Sequence, residues 1–451
     1  MSSGLTRQLV RHITDVAAHP LLPAVKREAQ RTLLNALGVA VAGTRYGAFR
    51  SVVAVARIHG GRPASPVAAQ PERFDAYFAA LLTGLAAHLD DFDDTHLASV
   101  IHPGAATLGA SLALGAWRGT TGSKFLTAFA LGCEVQLRVG MAISPSHYDQ
   151  GWHITGTCGV IGAVVSGGLI LGLDFESIAS ALGIAASQTL GHREGFGTHT
   201  KAFHPGKAAA NGVLAALLAE SGFSGSPEVF EAPRGFLGVL APRQRSELLT
   251  DGFGDRWELL SNTYKPYPCG IVNHPGIDAA IALHRRIEDV ATIREVIYEC
   301  HPLVPELMGL LQPTDGLAAR FSAAHGVAAG LADGRVSLAQ YENTRVRSSD
   351  LDRLRSLVRF EPTPMLGRDE AGIQIRLADG RWLREHVDHA RGSLAHPLTD
   401  GELEAKVRDL IEPMMPGAAQ SVISAVGGLE RAHSLERLVA AIVPSGGGVG
   451  R

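Results

Sequence analysis

Aromatic residues, charged residues and long apolar runs are all scarce in this 451-residue chain. Aromatics make up 6% and charged residues 19%, and the formal net charge is −3. Without a basic excess the chain offers no surface for the phosphates of a nucleic acid. The N-terminus lacks the apolar core of a secretory signal, and the longest weakly polar run, residues 159–172, is too short and too glycine-rich to cross a membrane. We therefore expect a soluble cytoplasmic protein without nucleic-acid or membrane partners.

Cysteine is also scarce, and its spacing excludes several chemistries. Cys133, Cys158, Cys269 and Cys300 are scattered and form no CxxC pair, so a disulfide framework or a zinc knuckle is not expected. Cys269 is a candidate nucleophile, although such cysteines are more often structural. The sequence contains no G-x-S-x-G elbow, no P-loop and no strand-bound G-x-G-x-x-G motif.

Apolar residues and glycine are abundant, and their periodicity is mainly helical. Apolar residues make up 46% of the chain, and there are 52 glycines, which favours closely packed helices. The length exceeds what one core usually supports, so we expect two domains. Residues 45–72 look rich in turns, and we find no alternating strand before about residue 262. Helical patterns occur at 5–17, 23–43, 74–92, 104–117, 122–141, 159–172, 174–188 and 207–221.

The pattern changes after the proline-rich segment around residue 266. Residues 292–300 alternate as a strand does, and residues 372–378 and 381–387 flank Asp379-Gly380 as a hairpin. Helices are predicted at 275–287, 316–332, 350–357, after a capping box at 399–402, and at 419–442. The predicted fold class is mainly α: a large all-helical domain of residues 1–265 and 400–451, and a smaller α+β lid domain of residues 266–399.

One stretch concentrates residues suited to chemistry. Residues 88–96 read HLDDFDDTH, and His102-Pro-Gly follows. Four aspartates at the end of the predicted helix 74–92 lie where the helix dipole disfavours carboxylates. A solvated acidic turn is the ordinary interpretation, but the flanking histidines favour a site. If the helix continues to Thr95, Asp91 and Thr95 share one face, which suits proton transfer or metal binding.

Two glycine-rich segments add further candidates. In GWHITGT, His153 precedes a helix that Thr155 or Thr157 can cap, and the helix dipole there favours a neutral histidine able to act as a base. A packing or capping histidine is the alternative. Residues 191–207 form a predicted loop with three histidines and several cations, which either clamps a small anion or is merely solvated. Lys201 and His204 lie three apart, so they face one pocket only if a helical turn forms.

Five motifs in order give the chain a family resemblance. The acidic stretch, GWHITGT, KAFHPGKAA, YKPYPCGIVNHPG and LAARFSAAHGVA together resemble the MmgE/PrpD family over residues 5–440. That family includes 2-methylcitrate dehydratase, cis-aconitate decarboxylase and iminodisuccinate epimerase. The resemblance implies a homodimer, a helical domain built from both chain ends, and cofactor-free chemistry on a small carboxylate substrate in a cleft between the domains.

The resemblance also assigns residues. It places the family's site on Asp91, Thr95, His102, His153, Lys201 and His274. We predict catalytic roles for Asp91, His102, His153 and His274, and substrate binding by Thr95, Lys201, His204, Lys265 and His325. His325 stands where the decarboxylase branch uses a tyrosine, which argues against itaconate formation. A metal site from Asp91, Asp93, His96 and His102 is an alternative, but H-E-x-x-H spacing is missing, and we predict that neither metal nor cofactor is required.

Three reactions share this set of groups. Removing a proton next to a carboxylate needs a base, and expelling hydroxide needs an acid. Two histidines and a lysine can divide these roles because neighbouring charges separate their pKa values. We expect a cofactor-independent hydro-lyase similar to 2-methylcitrate dehydratase, ahead of an epimerase for an iminodisuccinate-like substrate and a cis-aconitate decarboxylase. A catalytically silent binding protein on the same fold is the non-enzyme alternative.

Overall fold

The computed structural model describes residues 4–444, which divide into two compact units. Within the described residues, the helical unit comprises residues 4–89, 93–262 and 400–444. The α+β unit comprises residues 90–92 and 263–399. Mainly helical structure was predicted, and the described residues are mainly helical.

The chain begins with the longer helices. Elements up to residue 262 are α1 (Leu5–Ala17), α2 (Pro23–Gly43), α3 (Gly47–His59), α4 (Ala76–His88), β1 (Asp94–Thr95), α5 (Pro103–Arg118), α6 (Gly122–Ile143), α7 (Ser146–Asp149), α8 (Ile154–Leu171), α9 (Phe175–Ala186), α10 (His199–Glu220) and α11 (Phe236–Leu240). Helix α4 packs against α2, α5 and α10, and α8 packs against α5, α6 and α10. These contacts bring the starts and ends of several core helices together.

The α+β unit is built on a four-stranded sheet. Its elements are β2 (Thr263–Tyr264), α12 (His274–His284), β3 (Ile293–Cys300), α13 (Leu303–Met308), α14 (Gly316–Ala319), α15 (Ala323–Asp333), α16 (Asn343–Val346), α17 (Ser349–Leu357), β4 (Val358–Pro362), β5 (Ala371–Leu377) and β6 (Trp382–Val387). The strand order is β4-β3-β5-β6, with β3 and β4 parallel and the other pairs antiparallel. Helix α12 packs on β5, β6 and α15.

The last helices return to the helical unit. They are α18 (Asp400–Ile411), α19 (Ala419–Gly427) and α20 (Glu436–Ile442). Helix α18 packs on α2, where the buried Lys406 donates a hydrogen bond to Asn35 Oδ1 at 2.8 Å. Residues at the two ends of the sequence therefore share one core.

Two helices, Gly122–Ile143 and Ile154–Leu171, are long and apolar enough to span a membrane. In each of them 89% of the most apolar window is buried inside the structure. Their apolar surface is therefore covered by neighbouring helices, as in the core of a folded unit.

Several sequence-based element predictions differ from the structure. Residues 47–59, expected to be turn-rich, form α3, because its apolar positions pack against α4. The helix predicted at 207–221 begins eight residues earlier, at His199, and includes Pro205. Residues 419–442 form two helices rather than one, and the predicted helix 316–332 is interrupted before Ser322, whose hydroxyl caps α15. The hairpin at Asp379-Gly380 is confirmed, with Gly380 at φ +87°.

Candidate active site

Helix α4 ends earlier than predicted, and this changes the geometry of the acidic stretch. Asp75 caps its start by accepting hydrogen bonds from the backbone of Tyr77 and Phe78, and the helix stops at His88. Asp91 then adopts a left-handed conformation with φ +49°. The condition for Asp91 and Thr95 to share a helical face is therefore not met, because the chain leaves the helix before either residue.

Four histidines of the helical unit form a cluster, the histidine cluster, made of His88, His102, His153 and His204. His88 ends α4, His102 precedes α5, His153 precedes α8, and His204 lies in the second turn of α10. The ring centroids lie 4.9 Å apart for His88 and His102, 5.7 Å for His88 and His153, and 5.1 Å for His153 and His204. All four are buried, so the packing of helices α4, α5, α8 and α10 gathers them away from water.

His153 has the environment of a neutral base. Its Nδ1 lies 2.9 Å from Nδ1 of His204, so one of these nitrogens donates a hydrogen bond and the other accepts it. Burial lowers the pKa of His153 well below its usual value, and nearby positive charges, including that of Lys201, lower it further. Burial likewise lowers the pKa of His204 to about 4. Burial, rather than the helix dipole, is therefore the main reason why these rings stay neutral at pH 7.

Helix α8 begins at Ile154, five residues before the predicted start at 159, and its cap also differs from the prediction. Thr155 and Thr157 lie inside the helix, and His153 itself occupies the capping position without a side-chain cap hydrogen bond. Thr155 Oγ1 instead accepts a hydrogen bond from the backbone N–H of His102 at 3.2 Å. This contact ties the start of α8 to the segment before α5.

His102 is held at one ring nitrogen. Its Nδ1 lies 2.8 Å from the carbonyl oxygen of Asp94, 3.0 Å from Oγ1 of Thr95 and 3.5 Å from Oδ1 of Asp93. A backbone carbonyl can only accept, so Nδ1 carries a proton, and in the neutral ring Nε2 carries the lone pair. Thr95, predicted to bind substrate, is thus a direct contact of a predicted acid–base group.

Lys201 lies on the same helix as His204 because the predicted loop is helical there. Thr198 caps α10 through the backbone N–H of Thr200, and Lys201 and His204 lie three positions apart on the first turns. The Lys201 ammonium lies 5.2 Å from the centroid of the Phe196 ring. Its charge lowers the pKa of both His153 and His204, which fits a cation beside the histidine cluster.

In the α+β unit, Lys265 and Asp91 form a buried ion pair. Lys265 Nζ lies 2.7 Å from Oδ1 of Asp91 and donates to its carbonyl oxygen at 3.0 Å. The lysine thus stabilises the positive-φ backbone of Asp91, which is unusual outside glycine but tolerated by aspartate. Substrate binding by Lys265 stays a prediction.

The other predicted residues of the α+β unit lie at helix starts. His274 begins α12, one position earlier than predicted, with Nε2 3.4 Å from the carbonyl oxygen of Cys269. His325, in α15, donates from Nε2 to the carbonyl of Gln340 at 2.8 Å, and its Nδ1 lies 3.3 Å from Nη1 of Arg355. Burial lowers the pKa of His325 to about 4. Its substrate contact and the site shared by His153 and His274 stay predictions.

Cys269 and the surface residue His386 are weaker candidates for catalysis or metal binding. Burial raises the pKa of the Cys269 thiol to about 12, which makes it a poor nucleophile at neutral pH. Glu370, His386 and Asp388 bring potential metal-ligating atoms within 4.8 Å of one another on the α+β unit. Their histidine is half-exposed and already paired with Glu370 at 3.2 Å, as in an ordinary surface ion pair.

One buried ion pair and one buried histidine–carboxylate contact escaped sequence analysis. Arg320 donates to Asp90 Oδ1 at 2.6 Å, and His88 Nδ1 lies 2.6 Å from Asp93 Oδ2. The aspartates were visible as a cluster, but their partners were not. For His88 and Asp93 the pairing depends on where α4 ends, and for Arg320 the partner is 230 residues away.

Comparison with known proteins identifies the chain's relatives. Cis-aconitate decarboxylase of Mus musculus is 27% identical over 95% of this chain and 91% of its own length, and that of Homo sapiens is 26% identical over 95% and 92%. Cis-aconitate decarboxylase of Aspergillus terreus (strain NIH 2624 / FGSC A1156) is 26% identical over 90% and 89%. Residues 7–249 match the MmgE/PrpD N-terminal domain and residues 267–429 the MmgE/PrpD C-terminal domain. The chain therefore belongs to the MmgE/PrpD family.

Proposed function

We propose that this protein is a lyase that acts on a small di- or tricarboxylate by moving a proton at a carbon next to a carboxylate. The main observation that supports this proposal is the buried, neutral His153, which is hydrogen-bonded to His204 beside the cationic Lys201. A neutral imidazole can take a proton from carbon, and a buried ammonium can hold a substrate carboxylate. The names of the relatives, which are lyases acting on cis-aconitate, support the same class of substrate.

The residues divide into a base, an acid and binding groups. His153 exchanges the proton at carbon, and His204 stabilises the ring through their hydrogen bond. His102, protonated on Nδ1, is the second acid–base group, with Thr95 beside it. Lys201 binds a carboxylate. From the α+β unit, the proposal includes Asp91, which orients an acid–base partner, and His274, which contacts the substrate.

Dehydration of a 2-methylcitrate-like substrate is the leading reaction. It begins with removal of a proton, for which a histidine of depressed pKa is ready at neutral pH. Decarboxylation of cis-aconitate is the second candidate, and the names of the relatives favour it. In that reaction carbon dioxide leaves first and the carbanion then takes a proton, so a group that carries a proton is needed.

Incubation with a panel of substrates in D₂O separates these reactions. The purified protein is mixed with 2-methylcitrate, citrate, cis-aconitate or iminodisuccinate, and products are followed by NMR. Loss of water from 2-methylcitrate supports the leading reaction, while deuterated itaconate from cis-aconitate supports the second. Deuterium exchange with inversion of configuration would identify an epimerase instead. If no candidate is turned over, bound or deuterated, the proposal fails.

Two further measurements belong to the proposal. The four clustered aspartates already have partners in the protein, namely Arg320, Lys265, His88 and Asn262. Activity should therefore survive dialysis against EDTA, whereas loss on dialysis and recovery with a divalent ion would show a metal requirement. We also propose a homodimer, for which light scattering should give twice the mass of one chain.

A further inference from the structure

The pair formed by His88 and Asp93 is not among the groups assigned to the reaction above. Both side chains have no exposed surface, and Nδ1 of His88 lies 2.6 Å from Oδ2 of Asp93. The other carboxylate oxygen, Oδ1, lies 3.5 Å from Nδ1 of His102. One buried carboxylate thus touches two rings of the histidine cluster, and each contact is made to Nδ1.

The other side of the His88 ring has an unusual environment. Nε2 is buried and has no hydrogen-bond partner within residues 4–444. The ring lies next to His102 and His153, with centroids 4.9 and 5.7 Å away. A buried polar atom without a partner costs stability, and replacing the whole His88–Asp93 pair by apolar side chains of similar size would avoid that cost. The polar ring therefore points to a role beyond packing.

A carboxylate behind a histidine performs a known task in proton transfer. It accepts the Nδ1–H, fixes the tautomer with the lone pair on Nε2, and stabilises the positive charge that appears when the ring system takes a proton. In a buried site this stabilisation is stronger than in water. Asp93 Oδ2 lies within hydrogen-bond distance of His88 Nδ1, whereas Oδ1 lies 3.5 Å from His102 Nδ1, slightly beyond the usual length of a hydrogen bond.

We propose that Asp93 and His88 are positioning residues, which fix the orientation of the histidine cluster and stabilise the positive charge formed when one of its rings takes the substrate's proton. This inference rests on the proposed function of the same site. The proton goes from the substrate carbon to a cluster histidine, and Asp93 stays ionised throughout.

The kinetic test uses Asp93→Asn, His88→Asn and the double variant. Asparagine at 93 keeps the size but removes the charge, and asparagine at 88 keeps a donor near the Nδ1 position but removes the ring. Each single variant should lower kcat by roughly 10²-fold or more, with KM nearly unchanged. The double variant should be little worse than either single variant, because the two residues act as one unit.

The matched control is His147→Asn. His147 is a buried histidine of the helical unit, with Nδ1 2.8 Å from the carbonyl oxygen of Leu240 and Nε2 2.8 Å from Thr157 Oγ1. This variant also loses a buried histidine contact, so its unfolding temperature should fall, but its kcat should stay near that of the wild type. Near-wild-type kcat in a folded His88→Asn protein would overturn the proposal. Any side chain that donates a hydrogen bond to Asp93 would then be sufficient for activity, and the imidazole ring would not be needed.

A spectroscopic measurement tests the pair without any turnover. In the full-length protein labelled with ¹⁵N-histidine, the His88 signals, assigned by comparison with His88→Asn, should show the proton on Nδ1, and Asp93→Asn should change this pattern. A proton on Nε2 of His88 in the wild type would overturn the proposal. If the wild type turns over no substrate but His88 shows the expected tautomer, the proposed function fails while the orientation by Asp93 stands.

Discussion

At the scale of single residues, neighbours in the sequence serve different partners. The four aspartates of the acidic stretch separate in this way: Asp90 binds Arg320, Asp91 binds Lys265, Asp93 binds His88, and Asp94 accepts from Asn262 and the backbone of Gly104. Burial and the charge of Asp93 raise the pKa of Asp94 to about 7. The composition of the stretch, which is unfavourable at a helix end, was enough to predict a candidate site there. It could not assign the partners, since these depend on the turn at Asp91.

The first prediction concerns the division of labour between His153 and Lys201. His153→Gln removes the base and should lower kcat by about 10²–10⁴-fold. Lys201→Ala should act mainly by raising KM, if the ammonium binds the ground-state carboxylate. Steady-state kinetics with the substrate found in the D₂O panel will measure both, with folding checked by circular dichroism. A His153→Gln enzyme with near-wild-type kcat would remove His153 from the chemistry.

The second prediction concerns the pH dependence of stability. The pKa of His204 is about 4 in the folded protein, below its usual value of about 6.5 in an unfolded chain. Between these values the unfolded state binds a proton that the folded state does not. The part of the unfolding free energy that depends on the neutral His204 ring is therefore fully present above about pH 6.5 and is lost as the pH falls towards 4. His204→Gln should therefore show a smaller decrease in unfolding temperature between pH 7 and pH 4.5.

The exposed His19 provides the control for this measurement. The His19→Gln protein should follow the wild-type curve across the same pH range. Parallel curves for wild type and His204→Gln would contradict the assigned cause, because the buried neutral ring would then contribute nothing to the acid sensitivity.

At the scale of elements, close helix packing explains what periodicity alone missed. The segment before residue 207 contains glycine and proline, which favour a loop in sequence analysis. In the structure it forms the first turns of α10, and Gly206 lets this helix approach α4 closely: a Cβ at residue 206 would lie 2.5 Å from the carbonyl oxygen of Leu81. Tertiary packing thus overrides local propensity, and it places Lys201 and His204 on a helix.

The third prediction tests this helix contact. Gly206→Ala places a methyl group against the backbone of Leu81 and Leu85, so α4 and α10 must move apart. The free energy of unfolding should fall by about 1–3 kcal/mol. Because α4 carries His88 and α10 carries His204, kcat should fall as well. Denaturant unfolding and steady-state kinetics measure the two effects.

Gly401→Ala is the matched control. Gly401 lies in α18, and a Cβ there would have no heavy atom within 4 Å. This variant should leave kcat unchanged and raise stability by about 0.5–1 kcal/mol, because alanine loses less backbone freedom on folding than glycine. Equal behaviour of the two variants would mean that the approach of α4 to α10 is not what positions the histidines.

At the scale of the whole molecule, the helical unit combines segments far apart in the chain. The change in periodicity near residue 290 and the return to helices near 400 predicted that the last helices join the first ones, but not which helix they pack against. Periodicity shows which face of a helix is apolar and not which partner covers it. The partner becomes visible at Gly38, where a Cβ would lie 3.2 Å from Val407 and 3.5 Å from Leu410.

The fourth prediction tests whether α18 supports the start of the chain. Leu410 is 1% exposed and packs on α2, so Leu410→Ala should lower the free energy of unfolding by about 2–5 kcal/mol. Hydrogen-exchange mass spectrometry should show faster exchange in Pro23–Gly43 as well as in Asp400–Ile411, because the cavity lies between these two helices. Leu394→Ala, at a side chain that is 58% exposed, should change neither stability nor exchange in α2. Faster exchange confined to α18 would mean that α2 keeps its packing without it, and that the last helices only cover a core already complete.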